Sequence, residues 1–131
     1  MKIEDNLDKL INALRSGRYR KGKGRLKFHV INDEGVRHCP LGVACEVFIG
    51  ERGSEWQWRF NSTVGRYHLV NIFEGAYGSV NYPPIEVLNY FGIDKSKAME
   101  IAKWNDKFNY TLEEIANELS IYKEALYGHT E

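Results

Sequence analysis

Leu7, Leu10, Ile11 and Leu14 recur at the i, i+3, i+4, i+7 spacing of one helical face, with Asp5, Asn6, Asp8, Lys9 and Asn12 opposite. That spacing predicts a first helix ending at Gly17 as its C-terminal cap. Arg25 to Ile31 alternates charged and apolar side chains, the period of a strand, and Asn32-Asp33-Glu34-Gly35 is a turn that can reverse it. Pro40 stands where a first helical residue belongs, and Leu41, Val43, Ala44, Val47 and Phe48 predict a mostly buried second helix that stops near Gly50. Trp56 to Phe60 and Tyr67 to Phe73 have the aromatic and β-branched bias of two more strands.

A third helix opens at Pro84 or the residue after it, turns Val87, Leu88 and Phe91 inward, and ends at Gly92. Ala98, Met99, Ile101, Ala102 and Trp104 support a fourth helix from near Asp94, with a break expected at Asn105-Asp106, a polar pair that reads as stop and cap. Thr111-Leu112-Glu113-Glu114 matches a capping box, and Leu112, Ile115, Ala116 and Leu119 form the inner stripe of a fifth helix. The expected fold class is α+β: a small antiparallel sheet of three to four strands packed with about five helices.

At 131 residues, this reads as one globular domain, 1–131, without an internal linker. No apolar run approaches the ~18 residues of a membrane span. Met1 to Asp5 leads into an amphipathic pattern rather than a signal-peptide core, so a cytoplasmic protein with no membrane association is expected. Cys39 and Cys45 are too few for a disulfide framework, and in a reducing compartment both stay thiols. Their spacing suits neither a zinc knuckle nor one helical face, and His29, His38, His68 and His129 are scattered, so no metal is expected. Neither G-x-x-x-x-G-K-[ST] nor a G-x-G-x-x-G after a strand occurs, and no cofactor is expected.

Charge changes the picture more than composition does. Seven of the eighteen basic residues fall between Arg15 and Lys27, a window with no Asp or Glu and with Gly17, Gly22 and Gly24, while the chain as a whole sums to zero. The remainder therefore carries a formal charge of −7. Charge runs are usually solvated faces. Here, however, guanidinium forks alternate with permissive glycines and an aromatic ring, a combination that lets the backbone approach phosphate oxygens and a ring stack on a base. Arg15, Arg18, Tyr19, Arg20, Lys21, Lys23 and Arg25 are accordingly the candidate ligand-binding residues. A compact nucleotide suffers less repulsion from the −7 than long nucleic acid does, unless that charge faces away, and an acidic protein partner is equally compatible.

Cys39 raises an enzymatic alternative. It precedes a helix start, where N–H groups and the helix dipole favour a thiolate, and His38 or His68 can supply a base, giving a cysteine-dependent hydrolase with Cys39 and His68. Against this, cysteines flanking Leu41, Gly42, Val43 and Ala44 are more often small core hydrophobes, and no oriented third member is identifiable. No catalytic residue is assigned in the leading reading.

Ala13-Leu14-Arg15-Ser16-Gly17-Arg18-Tyr19, Gly22-Lys23-Gly24-Arg25-Leu26, Cys39-Pro40-Leu41-Gly42-Val43-Ala44-Cys45, Pro84-Ile85-Glu86-Val87 leading to Gly92, and Asn105-Asp106 ahead of Phe108 and Glu114-Ile115-Ala116 run in order across most of the chain. In this pattern it resembles a group of small proteins of uncharacterised function from bacteriophage and bacterial genomes. Members of that group commonly have two adjacent cysteines before Leu-Gly-Val, where this chain has Cys39 and Pro40, so the resemblance carries no zinc or redox chemistry here. It implies a viral or mobile-element accessory protein and assigns no catalytic residues. The leading expectation is therefore a phage-type accessory protein of the host cytoplasm. It would bind an anionic, phosphate-bearing ligand (nucleotide or nucleic acid) or an acidic host protein, with counter-defence as one outlet. A purely structural or interaction protein is the third alternative.

Overall fold

The computed structural model describes residues 3–29, 35–52, 55–61, 65–73 and 81–128. The apolar stripe of the first segment forms α1 (Ile3–Arg15), and Leu7, Leu10, Ile11 and Leu14 are all buried. Gly17 follows at φ +78°, the left-handed conformation that glycine adopts without a Cβ penalty. Short strands β1 (Arg20–Lys21), β2 (Lys27–His29) and β3 (Val36–His38) lead to α2 (Pro40–Arg52), which opens on the expected proline. Strands β4 (Trp56–Asn61) and β5 (Arg66–Asn71) precede α3 (Ile85–Phe91), α4 (Lys95–Asp106) and α5 (Leu112–Tyr127).

The helix boundaries follow local chemistry. Gly92 closes α3 in the left-handed region, and the Asp94 side chain caps α4 by accepting from the Lys97 N–H. The capping box of α5 is complete: Thr111 accepts from the Glu114 N–H while the Glu114 carboxylate accepts from the Thr111 N–H. The expected stop at Asn105-Asp106 falls at the end of α4, whose last residue is Asp106 and whose C-cap is Lys107.

The fold is α+β, with five helices and one sheet ordered β1-β3-β2-β5-β4 among the described residues. The sheet differs from expectation in two respects. It has five strands, because β1 and β3 are too short to show a period, and it is mixed, because β1 pairs parallel to β3. Phe28 pairs with Arg37 on one side and Arg66 on the other, and β4 pairs with β5 from Trp56↔Asn71 to Asn61↔Arg66. The predicted turn Asn32 to Glu34 lies outside the described residues, while Gly35 follows it at φ +84°.

Strand alternation splits the sheet into two unlike faces. Trp56 and Leu69 join the main apolar cluster with side chains from every helix, so α2 packs on their face. Phe28 and Val70 are buried as well but lie outside that cluster, on the opposite face. Helix α1 rests on α2, α3 and α5, and α4 rests on α2 and α5. Among the described residues, no helix is long and apolar enough to cross a membrane.

One backbone contact fixes where α2 sits. A Cβ built on Gly42 would lie 1.8 Å from the Leu26 carbonyl oxygen, and the Cys39 N–H donates to that same oxygen at 3.3 Å. Gly42→Ala is expected to destabilise the fold by about 3 kcal/mol or more, because the obstacle is backbone that cannot rotate away. Gly50, also in α2, has open space at its Cβ position, so Gly50→Ala should be neutral or stabilising by up to about 1 kcal/mol. Urea denaturation of both variants beside the wild type checks the contrast.

Candidate anion-binding face

Folding distributes the basic window over several environments. Arg15, last residue of α1, turns to α5: its Nη2 donates to Asn117 Oδ1 at 2.8 Å and Ser120 Oγ at 3.3 Å, and Nε lies 3.5 Å from Glu113 Oε2. Lys21 points the other way and donates from Nζ to Asn109 Oδ1 at 2.8 Å; partial burial, helped by the Lys23 charge, lowers its pKa. Tyr19 is half-buried with its ring edge-on to His38 at 5.1 Å, and burial beside Glu46 raises its phenol pKa. These three belong to the packing of the fold. Arg18 lines a groove of about 510 Å³ between α1 and α2 with Lys9, Tyr19 and Glu46, while Lys23 is exposed at the loop tip.

The loop is fastened from below by the polar pair at the end of α4. Asn105 is fully buried, and its Nδ2 donates to the Gly22 carbonyl at 2.7 Å and to Asp106 Oδ1 at 2.9 Å. Asp106 Oδ1 also accepts from the Gly24 N–H at 2.9 Å. Asn105 and Asp106 therefore clamp the basic loop as well as standing where the helix ends. Gly22 must be small, since a Cβ there would meet the Phe28 ring at 2.4 Å, and Gly24 sits at φ +74°.

A second polar assembly ties the sheet to α2. Glu46 Oε2 accepts from His38 Nε2 at 2.7 Å and lies 3.2 Å from Lys27 Nζ, which also stands over the Trp58 and Tyr67 rings at 5.0 and 4.8 Å. Burial alone would raise the Glu46 carboxyl, but the His38 hydrogen bond and the Lys27 charge outweigh it and hold the pKa down at about 2. Lys27 is thereby withdrawn from the basic window.

Cys39 and His68 are not brought together. Cys39 lies in the apolar cluster and forms part of the wall of a cavity of about 250 Å³ with Gly24, Tyr82 and Asp106. Burial pushes its thiol up to about 12 although the Gly42 and Leu41 N–H groups favour the thiolate, and the Asp106 charge adds to the rise. His68 projects from β5 on the opposite face of the sheet, with β2 between β5 and β3. The other histidine considered as a base, His38, is engaged with Glu46.

What the fold does assemble is a cationic sheet face. Arg20, Arg37, Phe28 and Arg66 stand in register across β1, β3, β2 and β5 and share the face turned away from α2. The Arg25 guanidinium lies over the Phe28 ring at 5.2 Å, and Arg59 pairs with His68 on the same face. Arg37 is anchored by donating from Nη1 to the Lys21 carbonyl at 3.0 Å. Arg18, Lys23, Arg25, Arg59 and Arg66 form no ion pair among the described residues.

None of the five strands carries an Asp or Glu, whereas the helices hold most of the chain's eighteen carboxylates. Charge is thus segregated by layer. Arg37, Arg59 and Arg66 were not among the residues singled out from sequence. The alternation of Gln57 and Arg59 with Trp56, Trp58 and Phe60 already placed Arg59 outward, but nothing local set it beside Arg25.

Compared with known proteins, residues 2–123 match a family model described as a domain of unknown function (DUF8296). No curated protein and no solved structure matches the chain.

Two outcomes follow from the clamp and the buried carboxylate. Asn105→Ala strands the Gly22 carbonyl and is expected to cost about 1–3 kcal/mol. It should also speed tryptic cleavage at Lys23 and Arg25, readable as a digestion time course below the melting temperature. Glu46, with its native pKa below the ordinary 4.5, stabilises the fold fully above that value and loses this contribution as pH falls through about 2. Glu46→Gln is therefore expected to cost on the order of 1–2 kcal/mol at pH 7, discounted for partial exposure, and to match the wild type near pH 2. Urea titrations across that range measure the convergence.

Proposed function

The chain belongs to the DUF8296 family, whose description names no activity, and we propose that it is a non-enzymatic binding protein that holds a phosphate-bearing anion on the outer face of its sheet. The observation that carries this reading is the gathering of Arg25, Arg59 and Arg66, which form no ion pair among the described residues, on one face of the sheet. Guanidinium groups offer paired donors that match phosphate oxygens, and Arg59 and Arg66 stand on the neighbouring strands β4 and β5. Of the residues expected from sequence to bind, Arg20 and Arg25 belong to this face and Lys23 borders it. Arg18 opens onto a different groove, and Arg15, Tyr19 and Lys21 serve the fold.

The segregated charge removes an objection to such a ligand. The helices hold most of the chain's carboxylates and α2 packs on the other side of the sheet, which favours an anion on the outer face. The buried, hard-to-ionise Cys39 thiol offers no support for nucleophilic chemistry. In a phage-type accessory protein of the host cytoplasm, a face of this kind would sequester a nucleotide signal or occupy nucleic acid, which is how it would serve counter-defence.

Retention on phosphocellulose measures the interaction. The wild type is expected to bind at low salt, and Arg59→Glu with Arg66→Glu to elute in the flow-through with little change in melting temperature. Lys103→Glu with Lys107→Glu makes the same change in net charge on α4 and should leave retention intact. Equal loss in both double variants would reduce the effect to net charge and overturn the reading.

A further inference from the structure

None of the residues lining the groove between α3 and α4 belongs to the basic sheet face, and we infer that this groove seats the outward side of α5 from a second copy of the chain. Tyr82, Pro83, Ile85, Leu88, Lys95 and Met99 line it and enclose about 440 Å³. Ile85 and Met99 stand in its wall 56% and 57% exposed, an apolar surface of the kind that another protein covers. Lys95 and Lys103 flank Met99 one turn to either side on α4. Both are exposed, and neither forms an ion pair among the described residues. Of the carboxylates on α3 and α4, Glu100 pairs with Lys97, Asp106 accepts from Gly24 and Asn105, and Glu86 lines a different pocket beside Trp56. The groove therefore combines an apolar floor with a basic edge.

Helix α5 carries the counterpart. Ile121 is 63% exposed at the middle of its outward side, with Glu118 and Glu124 three residues before and after it. Neither carboxylate forms an ion pair among the described residues. An apolar side chain between two carboxylates thus matches a groove between two ammonium groups, in the manner of a helix laid into a groove. The spacing agrees: Lys95 and Lys103 stand about 12 Å apart along α4 and Glu118 and Glu124 about 9 Å apart along α5, a difference that flexible lysine stems cover. Leu112, Ile115, Ala116 and Leu119 hold the opposite side of α5 in the core, so its outward side faces away from its own chain and the contact is between molecules. Two grooves or two α5 helices set face to face would oppose like charges, which selects the pairing of groove with helix. Because donor and acceptor are different surfaces, copies can dock reciprocally or add head to tail.

Sedimentation velocity of the full chain from about 1 to about 200 µM, the range in which a small interface associates, tests the inference. The wild type is expected to sediment faster as concentration rises, and less so at high salt. Ile121→Asp and Met99→Asp should each stay monomeric while circular dichroism remains native. Charge reversal gives the sharper result. Lys95→Glu with Lys103→Glu, and separately Glu118→Lys with Glu124→Lys, should each be monomeric, because groove and helix then carry the same sign. Mixed in equal amounts, the two double variants restore opposite signs in both contacts and should associate at least about tenfold more tightly than either alone.

A wild type that remains monomeric over the whole range overturns the inference. So does association that Ile121→Asp leaves unchanged, since the contact then lies elsewhere on the surface. Folded double variants that fail to associate on mixing also overturn it, because the pairing of groove with helix is then not the contact.

Discussion

Helix α2 can lie where it does only because its third residue has no side chain. Gly42 brings the first turn of the helix against the Leu26 carbonyl, and the Cys39 N–H bonds to that oxygen. The main chain entering β2 and the main chain of α2 are thereby in direct contact, a separation no larger residue permits. Much of the remaining architecture follows from this closeness. It sets Glu46 over His38 and Lys27 and buries Cys39, Val43 and Ala44 in the apolar cluster.

From that placement comes the division of charge. Lys27 faces α2, where burial makes an uncompensated cation expensive, and Glu46, hydrogen-bonded to His38, supplies the compensation. Arg20, Arg37 and Arg66 occupy the alternate positions of the same sheet, on the face turned away from α2. Arg15 and Lys21 are drawn off by α5 and by Asn109. A window that looks like one cationic block is thus sorted by the two-residue period of strands into groups with different work.

The clamp made by Asn105 and Asp106 links the helix layer to this arrangement. It satisfies the Gly22 carbonyl and the Gly24 N–H where the chain crosses between β1 and β2, so the turn bearing Lys23 and Arg25 has a fixed floor. A buried amide with specific partners defines one loop conformation more sharply than apolar contact would. In the linear chain, the same two residues read as a helix stop because short polar side chains commonly occupy helix ends; their partners lie more than eighty residues away.

Sequence by itself determined the helices, the start of the fourth near Asp94, the capping box at Thr111, the glycine stop at Gly92 and the α+β class, because each depends on neighbours within a turn or two. It also showed an unusual concentration of cations between Arg15 and Lys27. Tertiary structure alone decided that β1 and β3 exist, since strands of two and three residues have no readable period and are held by non-local pairing. It decided too which cations meet. Arg25, Arg37, Arg59 and Arg66 become neighbours only through strand order and register, and a linear pattern of charges holds no information about which backbone hydrogen bonds will bring distant segments side by side.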